Sequence, residues 1–357
     1  MKSGKTLTEL AMELERQSEA KKDYITDTKL LEMTPTGELG FDSGSRYEFA
    51  LTDHAHSQIA SRLDIPAKYY KRMRSEAPAL LAANVNNWFH SKPERRMLRT
   101  LDGTARAFLS ERYRRLDNFD LASAVLPVLA EMGEGLQIVS TELTESRMYV
   151  KAVNKRVELE VKRGDVVQAG LVISNSEIGL GSLKVEPLIY RLICTNGMIA
   201  QDFSQKRYHV GRSADEGDMY EIYRDETLKA DDRAFFLKVQ DTVRAAVDFN
   251  KFALIVEQMK AATEQRIEGN PVKAVELVQE HFRFSSEEGS GVLQHLIQGG
   301  DLTAYGLLNA ITRTSQDVEN YDRASELERD GSRVLSLPAS TWKSIALAGV
   351  VQKQKSC

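Results

Sequence analysis

Apolar and polar residues alternate with two different periods along the chain, and the change of period divides it into regions. Between residues 136 and 200, apolar residues recur at every second position or form short unbroken runs, as is typical of strands. Between residues 231 and 267 they recur at every third and fourth position, as is typical of an amphipathic helix. The pattern predicts an α+β fold: a central, mainly antiparallel sheet, an N-terminal helical segment and a C-terminal helical region.

These changes of pattern also suggest three parts. We assign residues 1–38 to an N-terminal helix and linker, 39–230 to an α+β core with a basic hairpin and long strands, and 231–357 to a mainly helical region. One long helix is expected over residues 231–267. Its apolar stripe would be Phe235, Phe236, Val239, Val243, Val247, Phe252, Val256 and Met259.

Turn and cap signals refine this outline. Asp102-Gly103 predicts a tight hairpin between two short strands. Residues 52–76 predict two helices, with Thr52 capping the first and Pro66 beginning the second. We further expect turns at residues 154–156 and at Asn196-Gly197.

The segment LVISNSEIGLGSLKVEPLIYRLICTNGMI, residues 171–199, is nearly free of charge and predicts two long strands buried on both faces. A polar turn at 174–181 separates them, and a second polar group follows at 194–197. These residues either cap the backbone or form a ligand site at the sheet end. The candidate ligand residues are Asn175, Ser176, Glu177, Thr195 and Asn196.

Charge changes the picture, because a chain of net charge −4 contains two basic blocks. Residues 62–117 hold 13 Lys and Arg against 6 Asp and Glu, and residues 147–212 hold 11 against 6. Strands that carry arginines and an occasional aromatic ring can bind a sugar-phosphate backbone and stack its bases. The alternatives are solvated faces balanced by neighbouring acids, or sheet edges protected by charge. The candidate nucleic-acid-binding residues are Arg95, Arg96, Arg99, Arg106, Arg112, Tyr113, Arg114, Arg115, Arg147, Lys151, Lys155 and Arg156.

Other chemistry finds little support in the sequence. His54 and His56 are two residues apart, so on a helix they point to different sides, and we predict no metal site. No nucleophile elbow or Walker-type phosphate loop is present, and GLGS at 179–182 lacks the context of a dinucleotide site, so no cofactor is expected. The basic second helix of residues 52–76 also allows a helix-turn-helix interpretation, although its turn lacks a glycine.

The two cysteines favour a reducing cytoplasm, here that of a bacterial host, and no apolar run is long enough to span a membrane. We expect a non-enzymatic protein that grips nucleic acid, with single-stranded DNA favoured and a homo-oligomer compatible with the sequence. One alternative is a small-ligand binder or enzyme that uses 174–181 and 194–197. Another is a scaffold or regulator whose charged N-terminal helix binds a protein partner.

Four segments together resemble one family. They are LTDHAHSQIASRLDIPAKYYKRM, RTLDGTARAFLSERYRRLDN, ISNSEIGLGSL with YRLICTNGM, and LTAYGLLNAITRTSQDVENYDRASELERDGSRVL. They are similar to the phage- and plasmid-like proteins grouped as domain of unknown function 932, over about residues 40 to 345. The resemblance implies a protein of a phage, plasmid or other mobile element, and it transfers no activity or catalytic residue. An annealing role in recombination is suggested by the basic, strand-rich core.

Overall fold

The strands form two separate sheets, each packed against its own helices. A computed structural model describes residues 1–42, 46–113, 115–133, 135–200, 225–246 and 248–350. Within these residues helices and strands combine as predicted in an α+β fold, which confirms the fold class. The strands that the sequence assigns to one central sheet are shared between the two.

The first sheet has six strands in the order β1-β5-β6-β4-β3-β2. The strands are β1 (Lys22–Asp27), β2 (Leu31–Met33), β3 (Leu39–Asp42), β4 (Arg46–Leu51), β5 (Arg95–Leu101) and β6 (Thr104–Ser110). All neighbours are antiparallel except the pair β4 and β6. Only a three-residue 3-10 turn joins β1 to β2, although they form opposite edges, so the sheet must curl until its edges approach. Ring contacts support this, since Tyr24 of β1 lies 5.5 Å from Phe49 of β4.

Three helices cover the inside of this curled sheet. They are α2 (Asp53–Arg62), α3 (Ala67–Glu76) and α4 (Pro78–Ser91), and α1 (Leu7–Ala20) precedes the sheet. As predicted, the Thr52 hydroxyl accepts a hydrogen bond from the Ala55 amide and starts α2. Ile59 and Val85 are fully buried against the strands.

The second sheet has five antiparallel strands in the order β11-β10-β9-β8-β7. They are β7 (Leu136–Leu143), β8 (Met148–Lys162), β9 (Asp165–Asn175), β10 (Lys184–Arg191) and β11 (Asn196–Ile199). The predicted long hairpin of β9 and β10 is confirmed. Two predicted turns are wrong: residues 154–156 form an irregularity inside β8, and Asn196-Gly197 begins β11. The chain turns earlier, at Thr195, whose φ is +51°.

Helices lie on both faces of the second sheet. The remaining helices are α5 (Asn118–Glu131), α6 (Asp225–Ala246), α7 (Phe249–Thr263), α8 (Pro271–Phe282), α9 (Ser286–Gly299), α10 (Ala304–Thr314), α11 (Tyr321–Arg333) and α12 (Ala339–Ala346). One face packs on α1, α5 and α6, and the other on α11. Buried Leu10 and Leu14 anchor α1 to the body of the protein.

The single long helix predicted over 231–267 is wrong, because the structure has α6 and α7 instead. Asp248 ends the continuity, since its carboxylate accepts a hydrogen bond from the Lys251 amide and caps α7. The predicted stripe is nevertheless buried at Phe235, Val239 and Val243 in α6. Val247 lies outside the described residues.

Candidate nucleic-acid interface

Arg99, predicted to bind nucleic acid, is completely buried where the two sheets meet. Its guanidinium donates to Asp23 at 2.9 Å, to Asp117 at 2.6 Å and to the Glu177 carbonyl at 3.0 Å. Burial alone would lower its pKa, but Asp117 and Asp23 raise the pKa above the usual arginine value. Arg99 therefore keeps its charge for an internal network and cannot reach a polynucleotide, which corrects its assignment.

The predicted polar turn belongs to the same junction. Glu177 accepts a hydrogen bond from Arg106 at 3.0 Å with one carboxylate oxygen and from the Asn118 amide at 2.6 Å with the other. The Asn175 amide group donates to the Leu116 carbonyl at 2.8 Å. A carboxylate at the first residue of α5 is favourable because the first-turn amides lack helical partners. Glu177 thus ties the turn to the start of α5.

Candidates for nucleic-acid binding, Arg99 and Arg106, therefore pair with Glu177, a candidate for the ligand site. The junction also contains Tyr113, whose hydroxyl donates to the Ser176 carbonyl at 3.2 Å, and burial raises its pKa. His54 and Gln58 of α2 both contact the Ile178 carbonyl, at 2.8 and 2.9 Å. These contacts hold the turn against the first sheet, and two buried atoms of the junction, Asn175 Oδ1 and Arg106 Nε, have no hydrogen-bond partner among the described residues.

The two halves of the proposed ligand site do not meet. Asn196 pairs with Arg191 at one end of β10, whereas the turn after Asn175 lies beyond the other end. A strand of this length, Lys184–Arg191, separates the groups by roughly 20 Å. Asn196 is buried and donates to Thr312 at 2.5 Å, while Thr195 is exposed in the turn. This corrects the expectation of one ligand site at 174–181 and 194–197.

Lys151 lies on the face of the second sheet that α11 covers. Its ammonium is fully buried and 2.6 Å from Glu328 of α11. Burial lowers its pKa, and Glu328 offsets part of that effect. The assignment of Lys151 to nucleic-acid binding is therefore corrected: this cation holds α11 on the sheet.

Several other candidate cations are already paired with acids. Arg95 lies 3.3 Å from Glu111, Arg96 lies 2.7 Å from Glu94, and Arg115 lies 3.3 Å from Asp23. The remaining candidates differ in exposure: Arg147 donates to the Leu180 carbonyl, Arg112, Lys155 and Arg156 are exposed, and Arg114 lies outside the described residues.

A different surface combines accessible aromatic rings with charged side chains of both signs, Arg62 and Lys92 with Asp64 and Glu94. A depression of about 520 Å³ lies between the α2–α3 turn and the C-terminal end of α4. Tyr69 of α3 and Trp88 of α4 line it and are 46% and 38% exposed. Lys92 lies 5.2 Å from the Trp88 ring centre, a cation–π distance. We call this depression the aromatic pocket.

Cations continue from the aromatic pocket across α3. The solvent-facing ridge of this helix carries Lys68, Lys71 and Arg72, and all three are exposed. Arg72 pairs with Glu76 at 2.9 Å, whereas Lys68 and Lys71 have no ion pair within the described part of the chain. The sequence showed the basic helix but not its orientation: Tyr70 packs inward, at 2% exposure, and Tyr69 points outward.

The histidine pair is also separated by its surroundings. His54 contacts the junction, while His56 lies 3.0 Å from the Tyr70 hydroxyl between α2 and α3. Among the residues that the structure describes, no three His, Cys, Asp or Glu side chains are grouped as metal ligands would be. No described helix is both long and apolar enough to cross a membrane.

Comparison with known proteins decides the family. The model of the domain of unknown function DUF932 matches residues 107–337, well over half of the 357 residues. The chain belongs to the DUF932 family. No curated protein and no solved structure matches it. The DUF932 match begins in β6 and extends just past α11, so it contains the second sheet and omits α2, α3 and α4. It is narrower than the resemblance from residue 40, and the aromatic pocket lies outside it.

Proposed function

We propose that this DUF932 protein binds single-stranded nucleic acid, with single-stranded DNA favoured, and catalyses no reaction on it. The observation that carries the proposal is the pair of exposed rings, Tyr69 and Trp88, on the walls of one pocket beside accessible cations. Base–aromatic stacking tolerates any sequence, because every base has a flat face. Only an unpaired strand offers that face, and this favours single strands over duplex.

The shape of α3 suggests how a strand would lie. A base would enter the aromatic pocket next to Tyr69, and the backbone would cross the ridge past Lys68 toward Lys71. A helix with its side chains is only about 10–12 Å wide, so a strand that crosses the ridge makes a short contact with it.

The wider setting is proposed from the family resemblance. Phage- and plasmid-like relatives suggest a mobile-element protein with a recombination or annealing role, and the two cysteines are compatible with a reducing host cytoplasm.

The test is fluorescence anisotropy with a labelled single-stranded oligonucleotide and its duplex, over a series of salt concentrations. Loss of a stacking ring costs about 1–3 kcal/mol, equal to about 5- to 150-fold in Kd. We expect Tyr69→Ala and Trp88→Ala each to weaken single-strand binding within that range. Phe249→Ala is the matched control, because Phe249 is 54% exposed on α7, away from the pocket.

Salt dependence separates the two candidate surfaces. Each phosphate contact contributes about −0.7 to the slope of log K against log salt on single strands. Lys68→Ala/Lys92→Ala should therefore make the slope shallower by about 1.4. Arg112→Ala/Arg115→Ala removes the same charge from the hairpin side and should leave the salt slope unchanged. Parental binding by the Tyr69→Ala/Trp88→Ala double variant would refute the proposal, and a loss confined to the arginine variant would return the site to the hairpin.

A further inference from the structure

A second depression lies on the other side of α3 and differs from the aromatic pocket in chemistry. It has a volume of about 460 Å³ and runs between α2 and α3. Ala60 and Ala67 face it with methyl groups only, which leaves the space open. We call it the α2–α3 groove.

Two cations line the groove. Lys71 is exposed and has no ion pair within the residues described. The Arg74 guanidinium lies 2.6 Å from Asp53, which also lines the groove. The hydroxyls of Ser57 and Ser75 are on the same walls and now donate to backbone carbonyls. Both cations come from α3, and α2 contributes the Ser57 hydroxyl.

The floor of the groove is neutral at physiological pH. His56 and Tyr70 form it, with 3.0 Å between the His56 Nδ1 and the Tyr70 hydroxyl. Burial, with the nearby Arg74 charge, lowers the pKa of His56 to about 4. The charges that face a ligand are thus Lys71, Arg74 and Asp53, with a net value of +1.

We infer that the α2–α3 groove binds a phosphate group, held by Lys71 and Arg74, with Asp53 as the internal competitor for the arginine. The Asp53 side chain is 90% exposed, so water screens its pairing with Arg74. A phosphate offers the arginine fork two oxygens and more charge than one carboxylate, and it can displace Asp53. That the phosphate belongs to a nucleic-acid strand rests on the proposed function; the phosphate chemistry itself does not.

The groove also fits the proposed strand path. It opens on the flank of α3 opposite Tyr69, and Lys71 of the ridge also lines it. A strand stacked in the aromatic pocket would cross the ridge and reach the groove with its backbone. The phosphate is either an internal phosphodiester or a terminal phosphate.

The decisive variant is Asp53→Asn, which removes the negative charge that competes for Arg74 and retains Thr52 as the helix cap. We expect it to bind inorganic phosphate at least about 5-fold more tightly than the parent chain, by isothermal titration, a gain of about 1 kcal/mol. Lys71→Gln should weaken the same binding by a similar factor. Glu257→Gln is the charge-matched control, because Glu257 is an exposed acid paired with Lys260 on α7.

The outcomes are separable. Equal effects of Asp53→Asn and Glu257→Gln on phosphate binding would show a general charge effect and overturn the inference. Unchanged phosphate binding by Lys71→Gln would also overturn it, because this substitution alters an exposed side chain and leaves the fold intact. If phosphate binds as expected but no oligonucleotide does, the groove stands and the proposed function fails. If oligonucleotides bind but Asp53→Asn changes the affinity for neither phosphate nor oligonucleotide, the inference about the groove is overturned and the proposed function stands. Comparing oligonucleotides with and without a 5′-phosphate then distinguishes a terminal from an internal phosphate.

Discussion

The buried pair Lys151–Glu328 offers the sharpest test of how the second sheet holds α11. Both side chains are 0% exposed, and the ammonium and carboxylate are 2.6 Å apart. A second buried pair, Arg329 with Glu186 at 2.6 Å, lies beside it. Lys151 and Glu186 share one row of the sheet, because both lie opposite Val172. Each helix charge therefore meets its opposite on the sheet.

Replacing Glu328 by Gln leaves this cluster with an uncompensated buried cation. Breaking a buried pair by removing one partner costs about 3–5 kcal/mol of unfolding free energy, because the remaining charge has lost both water and partner. One Glu328 carboxylate oxygen, Oε1, has no hydrogen-bond partner among the described residues, so the pair is not perfectly satisfied. The expected loss is therefore at the lower end, about 3 kcal/mol. Replacing both residues by apolar ones, Lys151→Met/Glu328→Leu, should recover most of it.

Urea denaturation of the parent, of Lys151→Met, of Glu328→Leu and of the Lys151→Met/Glu328→Leu double variant measures the coupling as a double-mutant cycle, and Glu328→Gln is measured beside them. The pH dependence supplies a second reading. Burial already lowers the pKa of Lys151, and losing Glu328 lowers that pKa further. Because the unfolded lysine then binds a proton that the folded one does not, the deficit of Glu328→Gln should shrink as pH rises from the variant pKa to the parental one.

Additive single effects in the cycle, or a Glu328→Gln loss below about 1 kcal/mol, would refute the reasoning, since surface pairs contribute that little. Lys151→Met should also leave oligonucleotide binding of the folded protein unchanged. A specific loss of binding would instead restore Lys151 to the interface.

Three further outcomes follow from the same structure. Glu177→Ala should lower the unfolding free energy by about 3–5 kcal/mol in urea denaturation, because Arg106 loses its partner. Glu177→Gln should lower the unfolding free energy less, since its side chain still accepts a hydrogen bond from the Asn118 amide. Val243→Asp should lower the unfolding free energy by a similar amount, because Val243 is 0% exposed. Val243→Ala should lower it less, and equal melting temperatures for the two variants would contradict the burial of Val243. The pKa of His56 lies at about 4, below its value in the unfolded chain. The unfolding free energy should therefore fall as pH drops from about 6.5 toward 4, by at most about 3 kcal/mol. In a pH series of denaturation experiments, His56→Gln should remove that pH-dependent loss.

Three of the candidate nucleic-acid-binding cations pair with acids for a reason that the sequence does not show. A sequence shows that Arg99, Arg106 and Lys151 are cationic, but not that Asp117, Glu177 and Glu328 will lie beside them. Those partners are 18, 71 and 177 residues away along the chain. A spacing rule covers neighbours within one helix or hairpin, and none covers contacts of this range. The aromatic pocket was missed for the same reason, because Tyr69 and Trp88 come from different helices.

The sequence alone determined the local elements of this protein: the Thr52-capped helix α2, the helix α3 that follows Pro66, the hairpin at Asp102-Gly103, the long strands β9 and β10, and the α+β class. Periodicity, caps and turns act over a few residues, so they are legible in one chain. Tertiary structure alone decided that the strands divide into two sheets and which cations pair internally. It also decided that Tyr69 points outward while Tyr70 is buried. These depend on packing between distant segments, where burial and charge pairing are settled only when the whole fold is assembled.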